Sequence, residues 1–287
     1  MTDPAPLLGL PTPERRLIAM TGTDARQVLQ DVVTNDVSRL APGTPVYAAL
    51  LTPQGKYLFD FFMIDPADLA LDGEVDVLID ADGAQADALA KRLGMYCLRR
   101  DARVVAETQQ IGVALVWSAP PDPARLPPGA ALLADPRHPD LGYRLYAAEP
   151  EAALEAVGAQ PVTAGAAVAQ RIALGVPATG LELVSQDSYI LEAGLDRLNG
   201  VDFRKGCYVG QEVTARMRHK TELKKRLVRV AVTGTTAPGT PVTTPEGKPV
   251  GTLFSQADGA GLAHLRLDRA TGPLAAGEAT LTLAEEL

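Results

Sequence analysis

The chain has 287 residues, 46% of them apolar and 22% charged, with a net charge of −8. That length can bury a substantial core in two or three domains, and the acidic balance argues against a protein whose main task is to wrap nucleic acid. Two cysteines do not make a disulfide scaffold, no apolar run is long enough to span a membrane, and the N-terminus lacks the basic start and apolar stretch of a secretory signal; a cytoplasmic protein with no membrane partner is the expectation.

In chain order, "DARQVLQDVV" puts Ala25, Val28, Leu29, Val32 and Val33 on one helical face, with Thr23 or Asp24 placed to cap it. "YAALLTPQGKYLFDFFMI" reads as two strands around a turn at Gly55. "AQADALAKRLG" reads as a helix closed by Gly94. "CLRRDARVVAE" and "IGVALVW" read as strands, and the Pro-rich "SAPPDPARLPP" as an exposed connector. "GYRLYAA" is a strand, and "EAALEAVG" and "TAGAAVAQRIALG" are helices. Neither a dinucleotide nor a P-loop glycine motif is present, and the mixture predicts an α+β body of ferredoxin-like type. From about Thr221 helical period gives way to short strands broken by Gly and Pro, which predicts a small closed β-barrel over 221–287 after a body spanning 1–215.

One stretch carries chemistry. In "FRKGCYVGQE" Cys207 follows Arg204 and Lys205, is flanked by Gly206 and Gly210, and precedes a segment that can begin a helix at about Gly210 with Glu212 in its first turn. Cations and a helix start both favour the thiolate, so an exposed, partly ionised Cys207 is expected. The competing reading is a small buried hydrophobe, which is the reading taken for Cys97 in "GMYCLRR". No C-x-x-C occurs, and His138, His219 and His264 show no ligand spacing, so no self-contained metal site is expected. A Cys207–His219 hydrolase pair stays open as a weaker possibility. From Arg216 to Arg229 seven Lys or Arg residues face one acid, Glu222; this is either a solvated face or a landing strip for an anionic tail or an RNA.

The run Lys205-Gly206-Cys207-Tyr208-Val209-Gly210-Gln211-Glu212 resembles the signature of the YgfZ proteins, folate-binding relatives of the glycine-cleavage aminomethyltransferase (T-protein, GcvT). Two further stretches resemble that family, "VTNDVSRLAPGTPVYAALLTPQGKYLFDFFMI" and "DSYILEAGL". The resemblance implies two ferredoxin-like α+β units arranged in a ring around a folate-sized cavity, followed by a small barrel. It implies tetrahydrofolate or a one-carbon derivative as cofactor, with Glu192 as the carboxylate that accepts the paired donors of a pterin edge. Asn35 in the Thr34-Asn35-Asp36 turn and Asp60 are further folate contacts on the same grounds, although a turn also selects Asn and Asp, and Arg216 in the basic run is a cation that could meet the glutamate tail of a folate, an RNA or an acidic partner.

Cys207 and Asp60 are the catalytic candidates. T-protein carries two adjacent aspartates in this block, whereas Asp60 is followed by Phe61, which puts aminomethyl transfer in doubt. The implied role is support of iron–sulfur cluster assembly or repair, including the enzymes that modify tRNA, with iron–sulfur client or assembly proteins as partners. A one-carbon transferase and a non-catalytic scaffold in which Cys207 merely packs are the alternatives.

Overall fold

The computed structural model describes residues 5–71, 75–105, 111–220 and 223–284. The chain divides into two compact units, the first of residues 1–51, 59–162 and 199–209, the second of residues 52–58, 163–198 and 210–287.

The first unit is built on β1 (Leu8–Pro11), β2 (Arg15–Thr21), α1 (Ala25–Val32), β3 (Val46–Leu51), β4 (Tyr57–Ile64), β5 (Val77–Asp82), α2 (Gly83–Tyr96), β6 (Arg103–Val105), β7 (Gly112–Trp117), β8 (Ala131–Ala134), β9 (Tyr143–Ala147), α3 (Pro150–Ala156) and β10 (Gln160–Pro161). They form two five-stranded sheets, ordered β3-β4-β5-β2-β6 and β10-β1-β7-β9-β8. The period of two along a strand explains why β2 and β5 are apolar on both faces. Ile18, Met20, Val77 and Ile79 meet Val28, Leu29, Leu89 and Leu93 of the two helices. Leu17, Ala19 and Leu78 meet Val113, Leu133 and Tyr146 of the second sheet.

The layer between those sheets also holds charge. Asp80 on β5 is fully buried and accepts from Arg15 Nε at 2.7 Å, from Arg144 at 2.6 Å and from the Tyr146 hydroxyl at 2.9 Å. Arg144 is also buried, and Asp135 lies 3.7 Å from it while holding Arg137 at 2.7 Å. The Phe62 ring lies under all three of these guanidiniums, Arg144 at 4.1 Å, Arg137 at 4.9 Å and Arg15 at 5.7 Å. Burial alone would push the Asp80 carboxyl up; the pull of Arg144 and then Arg15 outweighs it and holds the carboxyl below its usual range.

The second unit contains α4 (Ala164–Ala173), α5 (Gln211–Lys220) and the strands β11 (Lys225–Thr233), β12 (Thr240–Thr243), β13 (Pro249–Ala257), β14 (Ala260–Arg266), β15 (Leu274–Ala276) and β16 (Ala279–Leu283). The strands close into a barrel in the order β11-β14-β13-β12-β15-β16. Closure removes the exposed edges that a six-stranded sheet would otherwise present. Glu182, buried, accepts from Arg171 on α4 and from Ser255 on β13, which fastens the helix to the barrel.

Most expected elements form, with three corrections. Helix α2 does not stop at Gly94 but runs through it to Tyr96, because Leu93 is fully buried and a Cβ at Gly94 would meet nothing. Cys97 therefore caps a helix and is buried, with its thiol donating to the Leu93 carbonyl, and the predicted strand shrinks to Arg103–Val105, its end beyond 105 lying outside the described residues. At the start of α1 neither Thr23 nor Asp24 caps by side chain; the Thr23 hydroxyl donates to Asp101, and Asp24 accepts from the Asp101 backbone N–H.

Asp80→Asn should lower the free energy of unfolding by about 3–5 kcal/mol, since it leaves the buried Arg144 and half-buried Arg15 guanidiniums facing a neutral amide. The wild type should also lose stability as pH falls below about 4, because the folded carboxyl titrates below the unfolded one, and the variant should lose less of it. Urea unfolding at pH 7 and at pH 3.5 checks both.

Candidate functional site

The motif loop is held at both sides of its thiol. Lys205, buried, sends its ammonium to the carbonyls of Gln30 at 2.7 Å, Val33 at 2.6 Å and Asn35 at 3.0 Å. These groups lie in the last turn of α1 and just beyond it, where a helix leaves carbonyls without partners and a cation is favoured. Burial pushes the Lys205 ammonium down to about 8, and Asp36, Asp31 and Asp202 pull the other way. Asp202 accepts from the backbone N–H of Arg204 at 2.7 Å and of Lys205 at 3.2 Å. Tyr208 is buried, with the Lys205 ammonium 5.2 Å from its ring. Between these two anchors Gly206 and Cys207 are exposed.

Two sequence expectations change here. Lys205 looked like a free cation beside the thiol, yet its three donors are committed to backbone carbonyls. Gly206 was expected to serve a tight turn, but its φ is ordinary and a Cβ there would meet nothing within 4 Å. Gly210 does adopt a positive φ, +84°, immediately before α5.

The Thr34-Asn35-Asp36 turn is a structural knot. Thr34 donates to the Gly200 carbonyl at 2.6 Å, and the Asn35 amide donates to Tyr47 O and Asn199 O, both at 2.7 Å. The Asn35 side-chain oxygen takes the Asp36 N–H. Asn35 is buried and its polar atoms serve the fold, so it offers no open donor to a ligand. Asp60 is 8% exposed and accepts the Tyr47 hydroxyl at 2.9 Å. Burial and then the Asp60 charge push the Tyr47 phenol well up, so it stays a donor. Phe61 is fully buried among α1 and α2 residues.

Within the second unit, Glu192 lies in the tight turns that "DSYILEAGL" forms. Its backbone carbonyl accepts from Leu227 N at 2.7 Å, which attaches this turn to the part of β11 that precedes its pairing with β16. Its carboxylate is partly exposed, accepts no hydrogen bond among the described residues, and has His264 Nε2 of β14 at 3.3 Å. Glu192 lines a cleft of about 160 Å³ together with Leu223, Arg226, Val228, Leu267 and Arg197. Arg197 is committed to the carbonyls of Leu174 and Gly175, whereas Arg226 is exposed.

Arg216 and Glu212 are exposed on α5, and Gln211 is half-buried. The turn at Gly55, with φ +74°, packs on α5: a Cβ there would come within 2.7 Å of Val213 Cβ. Among the described residues no three His, Cys, Asp or Glu gather as a metal site. Sequence reasoning missed Tyr47 and His264. Nothing in the sequence around His264 links it to Glu192; the pairing arises from the β11–β14 register that sets Leu227 opposite His264.

Comparison with known proteins adds the following. Residues 224–286 match the family described as the CAF17 C-terminal beta-barrel domain. Over 226 residues the chain is 34% identical to the iron–sulfur cluster assembly factor IBA57 homolog of Mycosarcoma maydis, covering 75% of this chain and 55% of that protein. It is 30% identical to the Aspergillus fumigatus homolog, covering 94% and 68%, and 32% identical to human IBA57, covering 91% and 78%. The chain spans about half the length of the first fungal relatives it matches.

Among solved structures, the aminomethyltransferase T of the glycine cleavage system from Bartonella henselae superposes with a TM-score of 0.76 at 15% identity, covering 98% of this chain and 86% of that one. That likeness shows the fold, an aminomethyltransferase fold of mixed α and β elements with a closed terminal barrel. The matched assembly factors are mitochondrial proteins, which overturns the cytoplasmic expectation. Few cysteines argue against an oxidising compartment but do not tell one reducing compartment from another.

Lys205→Met should cost about 2 kcal/mol of stability, because three buried carbonyls lose their donor. Cys207→Ser and Gly206→Ala should each stay within about 0.5 kcal/mol of the wild type, since both sites are exposed. Urea titrations of the three variants side by side check this.

Proposed function

The chain belongs to the family of iron–sulfur cluster assembly factors that includes IBA57, and on that premise we propose that it supports iron–sulfur cluster assembly or repair while holding a reduced folate, as YgfZ-like proteins do. Cys207 is the residue offered to the cargo. A thiolate is a soft ligand suited to iron–sulfur clusters, and Cys207 is exposed between two buried anchors. A single thiol cannot enclose a cluster, so the remaining ligands come from a partner assembly or client protein. Enzymes that modify tRNA by iron–sulfur chemistry are among the clients on this reading; direct binding to nucleic acid is not part of it.

The observation that carries the folate reading is the Glu192 carboxylate, which faces a cleft and accepts no hydrogen bond among the described residues. A carboxylate in that state fits a ring edge that presents an N–H and an amino group side by side. A cleft of about 160 Å³ is smaller than the roughly 300–1,000 Å³ of a drug-sized pocket. It therefore suits the pterin head, with Leu223, Val228 and Leu267 against the ring. The tail would run outside, toward exposed cations such as Arg226, Lys225 and Arg216. When bound, a reduced folate supplies a carrier for one-carbon units.

Aminomethyl transfer has less support. Asp60 already accepts the hydrogen bond of the Tyr47 hydroxyl, and its neighbour is Phe61, which is core, so the second acid of the T-protein pair is missing.

Calorimetric titration of tetrahydrofolate into the wild type, Glu192→Ala and Cys207→Ala tests the assignment. The expected result is binding by the wild type and the cysteine variant, and loss of at least about tenfold in affinity for the glutamate variant. Equal affinity in Glu192→Ala would remove Glu192 from the site. No heat with the wild type would remove folate and leave a fold without that ligand.

A further inference from the structure

We propose that His264 is a positioning residue for Glu192, and that the two form one recognition element for a ring edge with paired N–H donors. This rests on the folate reading above and names the residue that makes its carboxylate selective.

His264 Nε2 is buried and has no hydrogen-bond partner among the described residues, yet it lies 3.3 Å from Glu192 Oε2. The distance is short and the angle is poor, so the contact is close without being a closed hydrogen bond. In the proposed arrangement Nε2 carries the hydrogen, the tautomer in which rotation of the carboxylate can complete the bond. A buried donor left unsatisfied costs free energy and calls for an explanation. Completion of the bond when the carboxylate turns is that explanation.

The strands make the rest of the argument. His264 is opposite Leu227 on β11 and Thr252 on β13. Leu227 N donates to the Glu192 backbone carbonyl. The backbone that carries the imidazole is therefore held by the barrel ladder on both sides, and the backbone of Glu192 is held by the same strand that pairs with His264. What stays free is the rotation of the carboxylate. A ligand edge with two donors takes both oxygens and sets the carboxylate plane; the same rotation aligns Oε2 with His264 N–H. Each interaction then favours the other, as members of a hydrogen-bonded network do. A ligand with one donor, or with an acceptor in place of one, leaves the plane unset and the histidine orphaned. Discrimination of this kind is strong where a buried polar group would otherwise go unpaired.

The test has two arms. In the ligand-free wild type, nitrogen NMR of 15N-histidine-labelled protein, with His264→Gln used to assign the signal, should show a protonated Nε2; a bare Nε2 overturns the proposal whatever folate does. In the second arm tetrahydrofolate is titrated calorimetrically into His264→Phe and His264→Gln. The phenylalanine variant should bind about 10- to 100-fold more weakly. The glutamine variant, which keeps an N–H donor, should return to within about threefold of the wild type, with melting temperatures of all three within about 2 °C. Equal loss in both variants would mean packing rather than donation, and unchanged affinity in His264→Phe would mean no role; either result overturns the proposal. If the wild type itself gives no heat, the folate reading falls first, and this proposal falls with it.

Discussion

One buried carboxylate joins the two sheets of the first unit. Asp80 on β5 takes Arg15 from its own sheet and Arg144 and Tyr146 from β9 of the other. Apolar contacts between those sheets would also hold them, but apolar faces slide at little cost, whereas a carboxylate held by two guanidiniums and a phenol hydroxyl through directional charge-assisted bonds fixes one arrangement. The network extends from there. Arg144 and Arg137 lie over Phe62, Arg137 is also 5.6 Å from the Tyr47 ring, and Tyr47 donates to Asp60. The position of Asp60 is thus set by a chain of aromatic and charged contacts that begins at Asp80. Such buried charge is poor evidence for extra stability and better evidence for a fixed arrangement.

The motif loop follows the same economy of anchors. Lys205 satisfies the end of α1, and Thr34 and Asn35 tie residues 199 and 200 to the turn after that helix. A loop that must present an exposed thiol has few apolar contacts of its own, so its shape comes from what its neighbours do for α1. This also separates the roles within one eight-residue run. Lys205 and Tyr208 are buried structure, Gly210 precedes a helix on which Glu212 is exposed, and between the two buried anchors Gly206 and Cys207 face solvent. With a Cβ tolerated at Gly206, the backbone sets no demand for glycine there, and any demand comes from whatever approaches the thiol.

How much of this was legible follows from the range of each interaction. The face of α1, the turn at Gly55 and the barrel were written in local period and turn residues, and all three form. The end of α2 was misread because a glycine stops a helix only when the chain gains a left-handed cap, and here burial of Leu93 on one side and Cys97 on the other carries the helix past Gly94. The exposed Cys207 was inferred from its flanks, but one of the reasons was mistaken: Lys205 is turned to carbonyls that stand some 170 positions away in sequence. No composition argument can find such partners. Asn35 looked like a ligand residue for the same reason, since a buried amide and an open one share one letter.

The Glu192 site shows the limit most clearly. Its sequence, apolar on both sides, shows an acid that would need a partner if buried and does not show what backbone carries it. The structure gives a turn, in which the backbone of Glu192 is paired to β11 and the side chain accepts no hydrogen bond among the described residues, with His264 Nε2 3.3 Å away. A strand would have fixed the carboxylate direction by its pleat; a turn pinned through its carbonyl leaves the side chain to be oriented by something else. That something is either the ligand alone or the ligand together with His264. The imidazole is the only ionic neighbour the described residues provide, and it is carried by a barrel strand whose register is fixed on both sides. A donor carried on a paired strand and set against a rotatable acceptor, as proposed here, stays indifferent until a third group with the right spacing arrives, which is what selective recognition of a ring edge requires.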